Sequence, residues 1–299
     1  MAEQMQAIKR RMKSVGSTEK ITGAMKLVSA AKLKQATYRF NYVSKHIEPL
    51  ISRFNKILSC DENTPEVYFD APVAKDEICI LITASKGLCG SYNATLNKYA
   101  SASNNAETTI FAPIGGKGYD FCLRSDFKIF EQESLSKFYS AAADEHTYDE
   151  IEQLSTKILN LYRKEQVSCI KIIYAKYRNS IAFDTETKQI FPLASPAVND
   201  SEINDLGLLE YSAETDFFDG LADSYLAMRI FRCITEATLC EHAARRIAMK
   251  NANDNAKEML ESLSIQYHRA RQNAITNEII EIIAGSESQK LQNKLKKNR

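Results

Sequence analysis

Two glycine-rich segments are the first candidates for chemistry, because glycine loops between a strand and a helix often bind phosphate. They are Lys-Gly-Leu-Cys-Gly at 86–90 and Gly-Gly-Lys-Gly at 115–118, and each follows a predicted strand and precedes a predicted helix. A phosphate loop needs G-x-x-x-x-G-K-[ST], and a dinucleotide loop needs G-x-G-x-x-G. Neither segment has that spacing. The pattern favours tight turns, where glycine accepts positive φ, and we expect no bound cofactor.

The remaining reactive side chains form no recognisable site either. The four histidines are scattered, and none has a second histidine at metal-binding spacing; they are His46, His146, His242 and His268. The seven cysteines contain no CxxC pair, and several lie in apolar runs such as Ile78–Ile80. Such cysteines are typical of reduced, buried thiols in a cytosolic protein. No carboxylate pair stands apart from the helix surfaces, so the sequence predicts neither a metal site nor a catalytic group.

The middle of the chain alternates strand and helix patterns, which predicts an open α/β sheet with an antiparallel edge. The predicted strands cover 77–83, 108–114, 127–130 and 168–175, and the predicted helices cover 92–101, the segment that ends at Arg124, and 148–165. The run 77–83 is continuously apolar, as in a buried parallel strand. A hairpin is expected from 181–184 and 189–193, with its turn at 185–188.

Two long stretches at opposite ends of the chain flank this predicted sheet domain. Residues 221–284 contain no glycine or proline, and residues 1–48 contain no proline. One helix over the C-terminal stretch would be roughly 95 Å long, whereas a globular domain of this size is only about 40–50 Å across. Apolar residues recur at helical spacing in both stretches, which predicts an antiparallel coiled coil. Two ordinary core helices broken by unmarked turns remain the alternative.

The predicted fold is therefore α/β: a long antiparallel coiled coil of N- and C-terminal helices plus a central open, Rossmann-like α/β domain. We expect the N-terminal helix over 1–59, the central domain over 75–198, the C-terminal helix over 214–285 and a flexible basic tail over 286–299. Pro49 is the expected point of a bend or break in the first helix. Polar linkers are expected at 60–74 and 199–207.

Charge is balanced overall but uneven along the chain. The net charge is +1, yet residues 1–58 carry twelve lysines and arginines against three acidic residues. Such a basic helix could bind nucleic acid or an acidic protein surface. Aromatic residues that would stack on bases are sparse before Tyr38, which weakens the first possibility. No apolar run reaches the length of a membrane span, and the N-terminus lacks the apolar region of a secretory signal.

Two terminal segments carry a resemblance to a known family. They are Ile8–Leu33, which contains Lys-Ile-Thr-Gly-Ala-Met, and Ala237–Ala256, which continues through Tyr267–Ile279. Together they resemble the γ subunit of F-type ATP synthases, and the turn 86–90 resembles the glycine motif of that family. The resemblance covers essentially the whole chain in the right order. Ala84-Ser-Lys86 departs from the family's usual Ser-Asp-Arg, and Ser91 stands where a second glycine is common.

The resemblance implies a non-catalytic central-stalk rotor. In the family, the paired helices lie inside a hexamer of three α and three β subunits, and the α/β domain sits on the c-ring beside ε. Torque passes through this subunit between the ion-driven ring and the catalytic hexamer. A chain of this kind would be peripheral, on the cytoplasmic face of a bacterial inner membrane, with no cofactor and no nucleic acid.

The family's contact residues carry over to seven positions. Lys20 and Met25 match the shaft region that faces acidic loops of β. The other positions that match contacts with β loops are Arg245, Arg271, Gln272, Thr276 and Glu281. Two alternatives from other classes stay open: a coiled-coil nucleic-acid-binding protein, suggested by the basic first helix, and a nucleotide-using α/β enzyme, suggested by the glycine loops.

Overall fold

The computed structural model describes residues 2–60, 64–130, 138–139, 141, 145–193 and 215–297; for 2–4, 59–60, 215–216 and 289–297 it describes only the backbone. The helices are α1 (Ala2–Cys60), a 3₁₀ helix (Glu66–Tyr68), α2 (Tyr92–Ser103), α3 (Gly116–Arg124), α4 (Tyr148–Arg163) and α5 (Thr215–Lys297). The strands are β1 (Glu77–Ile82), β2 (Thr109–Ile114), β3 (Lys128–Ile129), β4 (Ile170–Tyr177) and β5 (Phe183–Phe191). Two compact units result: unit 1, of Met1–Leu27 and Met249–Arg299, and unit 2, of Val28–Ala248.

Unit 2 contains a five-stranded sheet in the order β3-β2-β1-β4-β5, in which only β5 runs antiparallel to its neighbour. The central strand β1 is buried on both faces. Alternate side chains point to opposite faces of a strand, so Ile78 and Ile80 join a core with α4 and α5, whereas Cys79 and Leu81 join a core with α2. The predicted open α/β sheet with an antiparallel edge is confirmed.

The hairpin predicted within 181–193 is wrong. Residues 183–191 form the single strand β5, which pairs with β4 in a register that places Thr185 opposite Ala175. The turn comes earlier, at Asn179, whose Oδ1 accepts hydrogen bonds from the amides of Ile181 and Ala182 at 2.9 and 2.8 Å. Residues 185–188 are polar because β5 is an edge strand, and its threonines suit a strand.

Helix α1 carries a seven-residue repeat of buried positions. Thr22, Ser29, Ala36 and Val43 are buried at successive intervals of seven, the period of a coiled-coil seam. The helix also continues through Pro49 without a break in its assignment. Proline has no backbone N–H, so one carbonyl in the preceding turn loses its helical hydrogen bond. Because Pro49 is exposed, water can donate to that carbonyl instead.

Within each unit, α1 and α5 pair in opposite directions. In unit 2, Arg232 Nε lies 3.0 Å from Glu48 Oε2, and Tyr225 Oη donates to Asn55 Oδ1 at 3.0 Å. As the residue number rises along α1, the number of the facing residue on α5 falls, so the two helices are antiparallel. In unit 1, two interleaved seven-residue series along α5 are buried or half-buried: Met249, Ala256, Leu263, Ala270 and Asn253, Leu260, Tyr267, Ala274. The predicted antiparallel coiled coil is confirmed.

The C-terminal helix does not end where the sequence suggested. Helix α5 continues through both Gly220 and Gly285 to Lys297, so the segment 286–297, expected as a flexible tail, is helical in the backbone. Glycine inside a helix costs only about 1 kcal/mol relative to alanine, which a long helix tolerates. The linker predicted at 199–207 lies outside the described residues. Of the helices described, none is both long enough and apolar enough to span a membrane.

Candidate partner-contact surface

The crevice where open α/β folds bind ligands is filled by the chain itself. The strand order reverses between β1 and β4, and such folds bind ligands at the carboxyl ends of strands beside that point. Here α5 contacts the end of β4: the Glu236 carboxylate accepts a hydrogen bond from the amide of Tyr177 at 2.9 Å, and Cys240 Sγ donates to Ala175 O at 3.5 Å. The helix thus occupies the position that a nucleotide would take.

The loop before α3 is a tight turn whose amides already have partners. Thr83 Oγ1 accepts a hydrogen bond from the Gly118 amide at 2.8 Å, and Ser85 Oγ accepts one from the Gly116 amide at 3.1 Å. Gly115 has φ +105°, and a Cβ there would lie 2.1 Å from Thr83 O. Free N-terminal amides are what a phosphate would bind. These amides are used within unit 2, so the loop has a structural role.

Arg245 contacts the other glycine loop. Its guanidinium pairs with Glu241 at 2.7 Å and approaches the carbonyl oxygens of Lys86 and Gly87 at 3.3 and 3.4 Å. The Arg245 side chain is 11% exposed. Burial raises the pKa of the Cys89 thiol in this loop, and the nearby Arg245 opposes the rise. This predicted contact residue is therefore engaged inside unit 2, at the β1–α2 loop.

The other predicted contact residues lie on unit 1. Lys20 is exposed and Met25 is half-buried, and at 100° per residue they are about 140° apart around α1. On α5, Arg271, Gln272 and Thr276 are exposed, as is Glu281. These positions are distributed around the helix instead of sharing one face. The structure therefore gathers them into no single site.

A set of exposed isoleucines near the end of α5 was missed in the sequence analysis. Ile275, Ile279, Ile280, Ile282 and Ile283 are each 45–71% exposed. At 100° per residue they cover about 160° of the helix circumference. We call these five residues the isoleucine stripe. Its sequence signal is the dense apolar run Ile279–Ala284.

The part of the chain that the structure describes contains no cluster of three or more His, Cys, Asp or Glu side chains placed to hold a metal ion.

Comparison with known proteins decides the family. A family described as ATP synthase matches residues 4–288. The ATP synthase gamma chain of Pelagibacter ubique is 32% identical over 289 residues, covering 94% of this chain and 98% of the relative. This chain belongs to the γ subunit family of F-type ATP synthases. The gamma chain of Geotalea daltonii is also 32% identical, over 294 residues, covering 95% of this chain and 98% of the relative.

Solved structures support the γ-subunit fold. A chain in the OSCP/F1/c-ring structure of Euglena gracilis mitochondrial ATP synthase matches with a TM-score of 0.68 at 16% identity, covering 96% of this chain and 95% of that one. A chain from the central stalk and c-ring of the Tetrahymena thermophila enzyme matches with a TM-score of 0.55 at 20% identity, covering 78% and 99%. These matches give no support to the nucleic-acid-binding alternative.

Proposed function

We propose that this chain is the central-stalk rotor of an F-type ATP synthase, which transmits torque between an ion-driven c-ring and a catalytic hexamer of α and β subunits. The observation that carries the proposal is the γ-chain relationship over 94% of the sequence, on a chain with two long paired helices. The chain supplies no catalytic group. It works beside ε, peripheral to the cytoplasmic face of a bacterial inner membrane.

The exposed isoleucines near the end of α5 support the proposal that a partner surrounds this helix. A Cβ on Gly16 would meet Leu260, and one on Gly23 would meet Asn253; in both pairs the residue numbers add up to 276. The isoleucine stripe lies farther along α5 than either pair, and each of its side chains is 45–71% exposed. An exposed apolar face of this width is typical of an interaction surface. The inside of an α/β hexamer would cover it.

The polar contact positions suit a shaft that turns inside a sleeve. Lys20, Arg271 and Glu281 are exposed, and ion pairs between exposed groups are worth only about 0–1 kcal/mol each. Weak pairs distributed around a helix can be broken and remade as it turns. We therefore assign Lys20, Met25, Arg271, Gln272, Thr276 and Glu281 to contacts with the hexamer. Arg245 combines such a contact with its bonds to the β1–α2 loop.

Contacts inside unit 2 join the sheet domain to the base of the helices. The Arg163 guanidinium of α4 donates to Tyr68 Oη at 2.8 Å and to Asp219 O of α5 at 2.6 Å. Glu48 of α1 pairs with Arg232 of α5 at 3.0 Å. Half-buried charged networks of this kind resist relative motion of the elements that they connect. Torque applied to the sheet domain would pass through these bonds to both helices.

Reconstitution tests the proposal. The full chain would be mixed with α and β subunits from the same source, and complex formation and ATPase rate would be measured. We expect one copy per three αβ pairs and an ATPase rate that depends on this chain. The variant Ile283→Ser should weaken association, whereas Ile181→Ser, at an exposed isoleucine in the turn before β5, should not. Failure to associate with competent α and β would contradict the proposal.

A further inference from the structure

One layer of the coiled coil in unit 1 is polar. Asn253 is 3% exposed, and its Nδ2 donates to Glu19 O at 2.7 Å and lies 3.3 Å from Thr22 Oγ1. Thr22 is itself buried. A buried amide is unfavourable unless it is hydrogen-bonded. Here α1 supplies two acceptors, the backbone carbonyl of Glu19 and the hydroxyl of Thr22. Only the hydroxyl depends on the residue type, so the layer loses this acceptor when Asn253 and Thr22 no longer face each other.

Gly23 makes room for this amide. A Cβ on Gly23 would lie 3.2 Å from Asn253 Nδ2, closer than an ordinary contact, whereas a Cβ on Gly16, seven residues earlier, would lie 4.0 Å from Leu260 Cδ2. Glycine inside a helix lowers its stability. At position 23 the missing Cβ leaves space for the side chain of Asn253. At position 16 no side chain of α5 comes as close.

We propose that Asn253 is a positioning residue that holds α1 and α5 in one axial register within unit 1. The apolar layers repeat every seven residues along α5, at Met249, Ala256 and Leu263. A repeat of this kind packs in more than one register, and a single buried polar residue selects one of them. Displacement by one heptad toward the start of α1 would place Asn253 opposite Met12 and Val15, which offer its amide no side-chain acceptor.

The consequence for coupling depends on the proposed function. Lys20 and Met25 flank the polar layer on α1, so a fixed register holds them at one height relative to the contact positions of α5. Apolar packing alone would allow the two helices to slip under load. The register itself is a property of this chain, and it is tested without α, β or ATP hydrolysis.

Pairs of introduced cysteines in the full-length chain measure the register. Gly16→Cys with Leu260→Cys reports the observed register, and Lys9→Cys with Leu260→Cys reports a shift of one heptad toward the start of α1, about 10.5 Å along the helix. A disulfide needs Cα atoms within roughly 7 Å, so the two pairs do not report the same state. The seven native cysteines all lie between positions 60 and 240, outside unit 1.

In the parent we expect disulfide formation only for the first pair. Asn253→Leu, which fills the space but removes the donor, should increase the displaced crosslink by up to roughly tenfold, since the slip then no longer costs the amide its contact with Thr22 Oγ1. Asn255→Leu, at an exposed asparagine on the same helix, should leave it at the parent level. If Asn253→Leu does not fold, Thr22→Val should raise the displaced crosslink by a smaller factor. A displaced crosslink that stays at the parent level in the folded variants would overturn the proposal.

Discussion

Replacing Gly16 and Gly23 by alanine, one at a time, should have different effects on unit 1, with only the Gly16 variant clearly stabilised. Both residues lie inside α1, where glycine-to-alanine exchange stabilises a helix by about 0.5–1 kcal/mol. At Gly16 the added Cβ would meet Leu260 Cδ2 at an ordinary 4.0 Å, so the full gain is expected. At Gly23 it would lie 3.2 Å from Asn253 Nδ2, and the amide must move away from Glu19 O, which it contacts at 2.7 Å.

The movement weakens a hydrogen bond worth about 0.5–1.5 kcal/mol, which offsets or exceeds the gain in helix propensity. Because the gain in helix propensity is common to both, the two variants should differ by about 0.5–1.5 kcal/mol in local opening free energy, with Gly16→Ala the more stable. Hydrogen exchange in peptides that cover 12–30 and 250–263 measures this opening directly. Exchange should be about 2- to 12-fold slower in Gly16→Ala than in Gly23→Ala, at 1.4 kcal/mol per tenfold. Equal protection in both variants would refute the close approach at Gly23.

Three further substitutions test other parts of the structure. Arg245→Gln should increase hydrogen exchange in the loop 86–90 by roughly tenfold, because charged donors to its carbonyls are lost. Gly115→Ala should prevent soluble folding, because its φ is +105° and the Cβ would lie 2.1 Å from Thr83 O; the yield of soluble chain measures this. Met25→Lys should lower ATP-driven ion pumping more than ATPase rate in the reconstituted enzyme, because it adds a charge to the proposed contact surface.

Each of these substitutions has a matched control. Arg246→Gln, beside Arg245, should leave exchange in the glycine loop unchanged. Gly87→Ala should fold, since a Cβ there meets nothing within 4 Å. Thr37→Lys, at an exposed position of α1, should leave pumping and ATPase in proportion. An unchanged loop in Arg245→Gln, a well-folded Gly115→Ala, or a proportional loss of both activities in Met25→Lys would each contradict its prediction.

Most of the fold could be predicted from local patterns, and the exceptions have local causes. The apolar run at β1 and the helical spacing along α1 each specify their element without help from the rest of the chain. The hairpin was misplaced because the polar residues 185–188 look like a turn, although they form the exposed edge strand β5. Gly285 was taken as a helix end, but a single glycine does not stop α5.

The contact surface was less predictable, because its features depend on residues far apart in sequence. Arg245 carries the same sequence signal whether it faces solvent or the carbonyls of the β1–α2 loop. Asn253 looks like an ordinary polar residue until α1 brings Glu19 beside it. The isoleucine stripe becomes recognisable as a candidate interaction surface only once the structure shows that its side chains are 45–71% exposed.

Rotation of this chain within an immobilised hexamer tests the central claim most directly. A probe attached through Leu123→Cys, at an exposed position in unit 2, would be observed during ATP hydrolysis by the reconstituted complex. The account predicts sustained rotation in one direction that stops when ATP is exhausted. A stably bound chain whose probe stays stationary while the hexamer hydrolyses ATP would contradict it.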